Sequence, residues 1–318
     1  MRMMNMNAKH LGGMLLLGLL SACGGGGSGA GSPAPVTPPV QSTPISSSNF
    51  MQVAAQAYNS GDALSGQGGS GSNSGGGASM NLNSKVGDIY NAVKNGAASL
   101  PDLNNRMTDN CRDGGTIDLN IRLNASRSLA AGAQIDLTAS NCIDSGVKFD
   151  GGASMSIAAG SNSFEYGLNF QNFSLSSATE RFVLNGDGKF SSVGGKVVQS
   201  GSAMYIAYYK NGALVTERSL SNYSMSNGNS GYQISGVMQF KNQALGTIPV
   251  TVSTEAPFTP GPQGFPISGK MVISGSGNTK ITLTPTGNQS VKVDFSDKPD
   301  GSITLTQTVT FDQLKAMQ

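Results

Sequence analysis

Thr116-Ile117-Asp118-Leu119-Asn120-Ile121-Arg122-Leu123 is the stretch whose reading decides the fold class. Ile117, Leu119, Ile121 and Leu123 alternate with Asp118, Asn120 and Arg122. A period of two puts the apolar side chains on one face of an extended chain and the polar ones on the other, so the segment reads as a half-buried β-strand. The same period recurs at 134–139, 147–158, 163–175, 181–190, 196–209, 213–225, 232–240, 247–252, 270–274, 279–284, 291–295 and 303–311. Asn211-Gly212, between two such runs, is a type I′ hairpin signal, because both central positions need positive φ. About a dozen short strands joined by Gly, Asn, Ser and Asp turns predict a mainly β, antiparallel meander. Its expected shape is a sheet curled into a sandwich, half-barrel or barrel, with a short helical segment before it.

Glycine supports the curl. Phe149-Asp150-Gly151, Leu184-Asn185-Gly186, Ile234-Ser235-Gly236 and Ile267-Ser268-Gly269 each end on a glycine. An apolar residue follows four positions later: Met155, Phe190, Phe240 or Ile273. Glycine inside a strand pattern permits a bulge or bend, and repeated bends curl a sheet. The alternative is that glycine, at 44 residues, is abundant enough for the echo to be accidental. Membrane barrels share the period but carry aromatic girdles at both interfaces. Here aromatics are 6% of the chain and tryptophan is absent, which favours a sheet that does not span a bilayer.

Upstream of Met80 the pattern changes. Gly24–Ser32 is Gly/Ser-rich, Pro33–Pro44 is Pro-rich and Ser65–Gly77 is almost entirely Gly, Ser, Asn and Gln. Such tracts behave as flexible or semi-rigid spacers and bury too little apolar surface to offset ordering entropy. Residues 23–80 therefore read as a tether. Within them Phe50, Val53, Ala54 and Ala57 share one helical face over 50–58, a helix short enough to need tertiary support. The clearest helix is expected over Ser84–Ala97, where Val86, Ile89, Tyr90 and Val93 form a stripe ending at Leu100-Pro101. Residues 81–318 then make up the helix and the β domain.

At the N-terminus, Arg2 and Lys9 precede a short apolar run, Met14–Leu20, which ends in Leu20-Ser21-Ala22-Cys23. The run is far below the ~20 apolar residues that a spanning helix needs. This arrangement resembles the lipobox of bacterial lipoproteins. The resemblance implies a signal peptide over 1–22, a diacylglycerol thioether on Cys23, cleavage before it and N-acylation, commonly with palmitate. Acyl chains contribute ~0.8 kcal/mol per buried CH₂, so two or three of them hold a protein on a membrane durably. Gly24, rather than Asp, follows the cysteine, which under the family's sorting rule points to the outer membrane.

Composition narrows the chemistry. The only histidine, His10, lies in the segment that would be removed. A mature chain without imidazole lacks the usual base of Ser-His-Asp and Cys-His catalysis, and His-built zinc or haem sites. Without Arg2 and Lys9, 18 basic residues balance 18 acidic ones, leaving no basic field for nucleic acid. Carboxylate chemistry finds little support. Glu165, Glu180, Glu217 and Glu255 are the only glutamates; Glu165 and Tyr166 fall on a predicted strand and Glu217-Arg218 reads as a solvated pair. Asp294, Asp297 and Asp300-Gly301 come nearest to a metal cluster, but their spacing departs from an EF-hand loop and fits a turn at Lys298-Pro299. The Gly runs lack a Walker A ending. No catalytic residue, metal or cofactor is implied.

Cys111 and Cys142 remain after cleavage. An even pair in an exported chain reads as a disulfide, and closing a loop of about 30 residues contributes ~3–4 kcal/mol in the chain-entropy model. The region from Cys111 to Phe311, with Asn110-Cys111, Gly115-Thr116, Asn141-Cys142 and Gly146, is similar to exported proteobacterial lipoproteins that share a Cys…Gly-Thr…Asn-Cys…Gly pattern before a β meander. That resemblance is structural and brings no activity. Three functions remain open. The leading one is a non-enzymatic binding or structural module at the cell envelope, with an envelope protein, glycan or lipid as partner. The second is a carrier of a hydrophobic ligand in a curved-sheet cavity lined by Met155, Met204, Met225, Met238 and Met271. The third is a histidine-independent glycan hydrolase, which needs two facing carboxylates.

Overall fold

A computed structural model describes residues 42–65 and 104–317, apart from 145, 160–163, 194–195, 229–230, 243–244 and 263. Helix α1 (Phe50–Ser65) comes first, followed by β1 (Asn104–Asn110), β2 (Gly114–Arg122), β3 (Gln134–Asp144), β4 (Val147–Ala159) and β5 (Phe164–Ser176). Next are β6 (Glu180–Val193), β7 (Lys196–Lys210), β8 (Ala213–Gly228), β9 (Gly231–Asn242) and β10 (Gly246–Pro260). The chain ends with β11 (Pro266–Ser274), β12 (Lys280–Gly287), β13 (Ser290–Ser296), β14 (Leu305–Thr310) and helix α2 (Phe311–Ala316). The strands form one sheet in strict chain order, with β1 and β14 at its two open edges. Each strand pairs antiparallel with the next. The result is a mainly β, antiparallel meander that curls without closing.

The register turns the period-two pattern into one continuous apolar face. Ile121 pairs with Ile135, Ile135 with Met155 and Met155 with Leu168. Further along, Met204, Leu220, Met238 and Val250 stand in one row, and Val252, Ile273, Ile281 and Phe295 in another. Cross-strand rows of this kind are the unit of sheet stability.

Curvature comes from bulges, and the glycine echo marks them. Pairing slips between Phe170 and Phe173 in β5 and between Ser221 and Ser224 in β8. Asn172 and Asn222 sit there with φ of 50° and 46°. Facing them are Gly151 (φ 103°) and Gly236 (φ 148°). A Cβ on Gly151 would run into the Asn172 carbonyl, and one on Gly236 into the Tyr223 backbone. Only glycine admits both the positive φ and this approach. Gly186 and Gly269 also have positive φ beside register shifts. Met155, Phe240 and Ile273 then point into the core, and Phe190 stacks on Tyr166 at 4.8 Å.

The concave face under β8–β13 is filled by α1. Phe50, Val53, Ala54 and Ala57 are buried as the helical pattern requires, but so are Met51, Ala55, Tyr58, Asn59 and Ser60. Phe50 stacks on Phe295 at 5.4 Å, and Tyr58 meets Phe258 edge-on at 6.3 Å. The Asn49 side chain fixes the helix entrance, accepting from Ser46 N–H (2.8 Å) and donating to the Pro44 carbonyl (3.0 Å). Just before it, Thr43 N–H donates to the Thr247 carbonyl at 2.7 Å. Residues 42–60 thus pack against the sheet, within the span expected to be a tether over 23–80. Small and polar side chains such as Ala54, Gln56 and Ser60 suit a helix enclosed on most sides, and composition alone reads them as linker. The helix expected over Ser84–Ala97 lies outside the described residues.

Two elements went unforeseen. β1 is a largely exposed edge strand without an apolar alternation, and α2 replaces the end of the strand expected over 303–311. Thr310 and Gln313 form a reciprocal capping box (3.1 and 2.9 Å), the Thr-x-x-Gln signal of a helix start. Phe311 and Leu314 of α2 are fully buried, and Tyr58 of α1 lies 5.2 Å from the Phe311 ring.

Candidate functional site

Inside the curl, a polar contact joins helix to sheet. Arg218 on β8 shares the inward face with Leu220 and donates from Nε (3.1 Å) and Nη2 (2.9 Å) to Oε1 of Gln56. Gln56 is only 1% exposed. Burial pulls the Arg218 guanidinium down to about 10. The Gln56 oxygen ties the half-buried guanidinium of β8 to α1, a polar contact that favours one setting of the helix on the sheet. Glu217, one position earlier, faces outward and pairs with Lys241 at 3.0 Å. The solvated Glu217-Arg218 pair expected from the sequence is therefore split across the sheet, one partner on each face.

Met204, Met225, Met238 and Met271, expected to line a ligand cavity, pack with α1 in the main core. Met155 belongs to a second cluster with Ile135, Ile157 and Tyr166. A surface hollow of about 310 Å³ lies where α1 begins, lined by Ser47, Ser48, Met51, Gln52, Gln307 and Met317 among others. Its walls mix methionine with serine and glutamine and bring no charged group to bear on a ligand.

The other residues singled out from the sequence have structural partners. Cys111, in the β1–β2 turn, is bonded to Cys142 on β3, with Cα atoms 5.4 Å apart. Ile117, Leu137 and Ala139 pack around the bridge. Tyr166 is buried, which raises its phenol well above the ordinary range. Glu180 accepts from the Tyr208 hydroxyl at 2.8 Å, and Glu255 pairs with Lys270 at 2.6 Å. Asp294 pairs with Lys292 (2.8 Å) and accepts from Thr306 (2.6 Å). Asp297 accepts from Thr304 (2.6 Å), and Asp300 accepts from Ser302 N–H (2.9 Å). The Asp294–Gly301 segment is thus a strand end and turn, and among the described residues no cluster of three metal-ligating side chains forms. Cys23 lies outside the described residues. No helix among them is long and apolar enough to cross a membrane.

The outward face of β6–β9 carries a group that sequence reading missed. Register places Asn185, Tyr205, Ser219 and Gln239 in one cross-strand row, and Val183, Ala207, Glu217 and Lys241 in the next. Tyr209 follows, beside Arg181 and Leu214. Ala207 is 0% exposed although it faces outward, because the larger side chains around it close over its methyl. Tyr205 and Tyr209 are half-exposed. The Arg181 guanidinium carbon lies 5.7 Å from the centre of the Tyr209 ring. Burial first, then the Glu217 and Tyr209 charges, raise the Tyr205 phenol. Val215 (40% exposed) and Val237 (45%) border the group. The result is a shallow aromatic strip on a face that mixes Ser, Asn and Gln with the Glu217–Lys241 pair and the exposed Val215 and Val237. Two tyrosines four apart on one strand were visible in the sequence, but their neighbours on β6, β8 and β9 emerge only from the register.

Comparison with protein-family models, curated proteins and solved structures finds no match to this chain.

Proposed function

We propose that this chain is a lipid-anchored protein of the outer membrane, held by acylated Cys23, whose β domain binds an envelope partner and performs no catalysis. The anchor rests on Leu20-Ser21-Ala22-Cys23 at the end of the short apolar run. The binding role rests chiefly on one observation: α1 fills the concave face under β8–β13, so recognition falls to the outward surface. There, the strip around Tyr205 and Tyr209 offers aromatic area on a polar background. A hydrophobic carrier would need the volume that Phe50, Val53 and Ala57 occupy.

Cys23→Ser is expected to abolish palmitate labelling and to release the protein from sedimented membranes, because the thioether cannot form. Continued pelleting with label retained would rule out the anchor. For the binding role, a photo-crosslinking residue at Ser219, in the centre of the outward strip, is expected to give discrete envelope adducts in cells. No adduct, together with wild-type envelope integrity in a deletion strain, would count against it.

A further inference from the structure

We infer that the outward strip of β6–β8 is a glycan-binding platform, with Tyr205 and Tyr209 as stacking rings for an extended oligosaccharide. This rests on the binding-module reading above and names its ligand class. The two tyrosines lie on the same face of β7, four residues apart, so their Cα atoms are separated by about 13 Å along the strand. Sugar rings present polarised C–H groups on their faces, and the electron-rich face of a phenol ring attracts them. A spacing of this size exceeds a single sugar ring, so it suits separated units of one chain better than a lone monosaccharide. Sugar hydroxyls need donors and acceptors beside the rings, and Ser219 and Gln239 stand in the Tyr205 row, beside Asn185, whose oxygen accepts from Asn172 N–H at 2.6 Å and leaves its amide N–H groups to donate. Arg181 lies over the Tyr209 ring, its guanidinium carbon 5.7 Å from the ring centre, and Glu217 faces outward with Lys241.

Other partners fit this surface less well. Nucleic acid requires a basic field, and Arg181 and Lys241 are offset here by Glu217 on a mature chain of no net charge. A lipid surface is met by a larger apolar face or a basic cluster. Protein hot spots are desolvated pockets, and here no pocket opens between the tyrosines, since Ala207 is fully covered by its neighbours.

The test titrates the full mature lipoprotein, in detergent, with two purified polysaccharides: peptidoglycan glycan strands and the polysaccharide released from lipopolysaccharide. The chain has no tryptophan, so its fluorescence comes from its eight tyrosines, and the Tyr205→Phe/Tyr209→Phe variant identifies the share that belongs to these two rings. Saturable binding of one probe is expected, with a tyrosine fluorescence change, and the arm that binds identifies the source. Tyr205→Ala/Tyr209→Ala should weaken that binding at least tenfold at an unchanged melting temperature. Tyr205→Phe/Tyr209→Phe should retain most of it, since stacking belongs to the ring. Wild-type protein that binds neither probe, or an alanine pair that binds like wild type, overturns the assignment. If the alanine pair fails to fold, the wild-type and phenylalanine titrations decide. Discrete crosslinks from Ser219 to an envelope protein, with no polysaccharide bound, would sink the glycan assignment while leaving the binding-module reading standing.

Discussion

Phe50→Ala is expected to lower the unfolding free energy by about 3–5 kcal/mol, the usual cost of deleting a fully buried phenylalanine. Phe50 is 2% exposed and stacks on Phe295, which is itself fully buried on β13. The loss has two parts: the transfer free energy of the ring, and a cavity against Phe295 that a sheet fixed by its ladders can collapse into only partly. Against a typical domain stability of ~5–15 kcal/mol, that is a large fraction. Gln52, partly exposed one turn-edge away, is the control, and its alanine variant should fall within about 0.5 kcal/mol of wild type. Denaturant titration of both proteins measures the difference. A residue in a tether would give no effect at either position, so equal midpoints for the two variants would contradict the packing of α1.

Replacing Cys111 and Cys142 together by serine is the second large change, at roughly 2–5 kcal/mol. The bridge closes a sequence separation of 31 and ties the β1–β2 turn to β3 at the edge of the sheet, where each strand has few other restraints. The bonded pair sits among Ile117, Leu137 and Ala139, so two serines would also bring hydroxyls into an apolar cluster. The variant is expected to melt earlier but to keep its β signature and any ligand, since the tyrosine strip lies on strands that the bridge does not touch. Thiol titration of denatured, unreduced mature protein should find no free thiol. Two free thiols per chain, or loss of binding at unchanged stability, would reopen a redox role for the pair.

Most strands were legible because Ile117–Leu123 and its successors carry one apolar face each, and a half-buried strand cannot hide that alternation. The bends were legible too, in Gly151, Gly186, Gly236 and Gly269, although only the register shows why: the neighbouring strand approaches each site where a side chain would stand. β1 escaped because an edge strand buries little, so Asn104–Asn110 has no alternation to read. The Thr310/Gln313 box was a readable signal for α2, masked by the strand-like Ile303–Val309 before it. Helix α1 was read for its apolar stripe but misjudged in its surroundings. Ala55, Gln56, Asn59 and Ser60 look solvated in sequence, and their burial follows from a sheet that wraps the helix. Arg218 was misread for the same reason, since its face is set by β8 rather than by the adjacent Glu217. The tyrosine strip needs four strands in register, and in the sequence only Tyr205 and Tyr209, four apart, mark it.

The claim on which the rest depends is that α1 is the filling of the sheet, leaving recognition to the outside. Amide hydrogen exchange of the full mature protein tests it most directly. Backbone amides from Val53 to Ser60 are expected to exchange only through global opening, with protection equal to that of the central strands β9–β12. Exchange of these amides at the rate of an unstructured linker, or sub-global opening that frees α1 while the sheet stays protected, would contradict it.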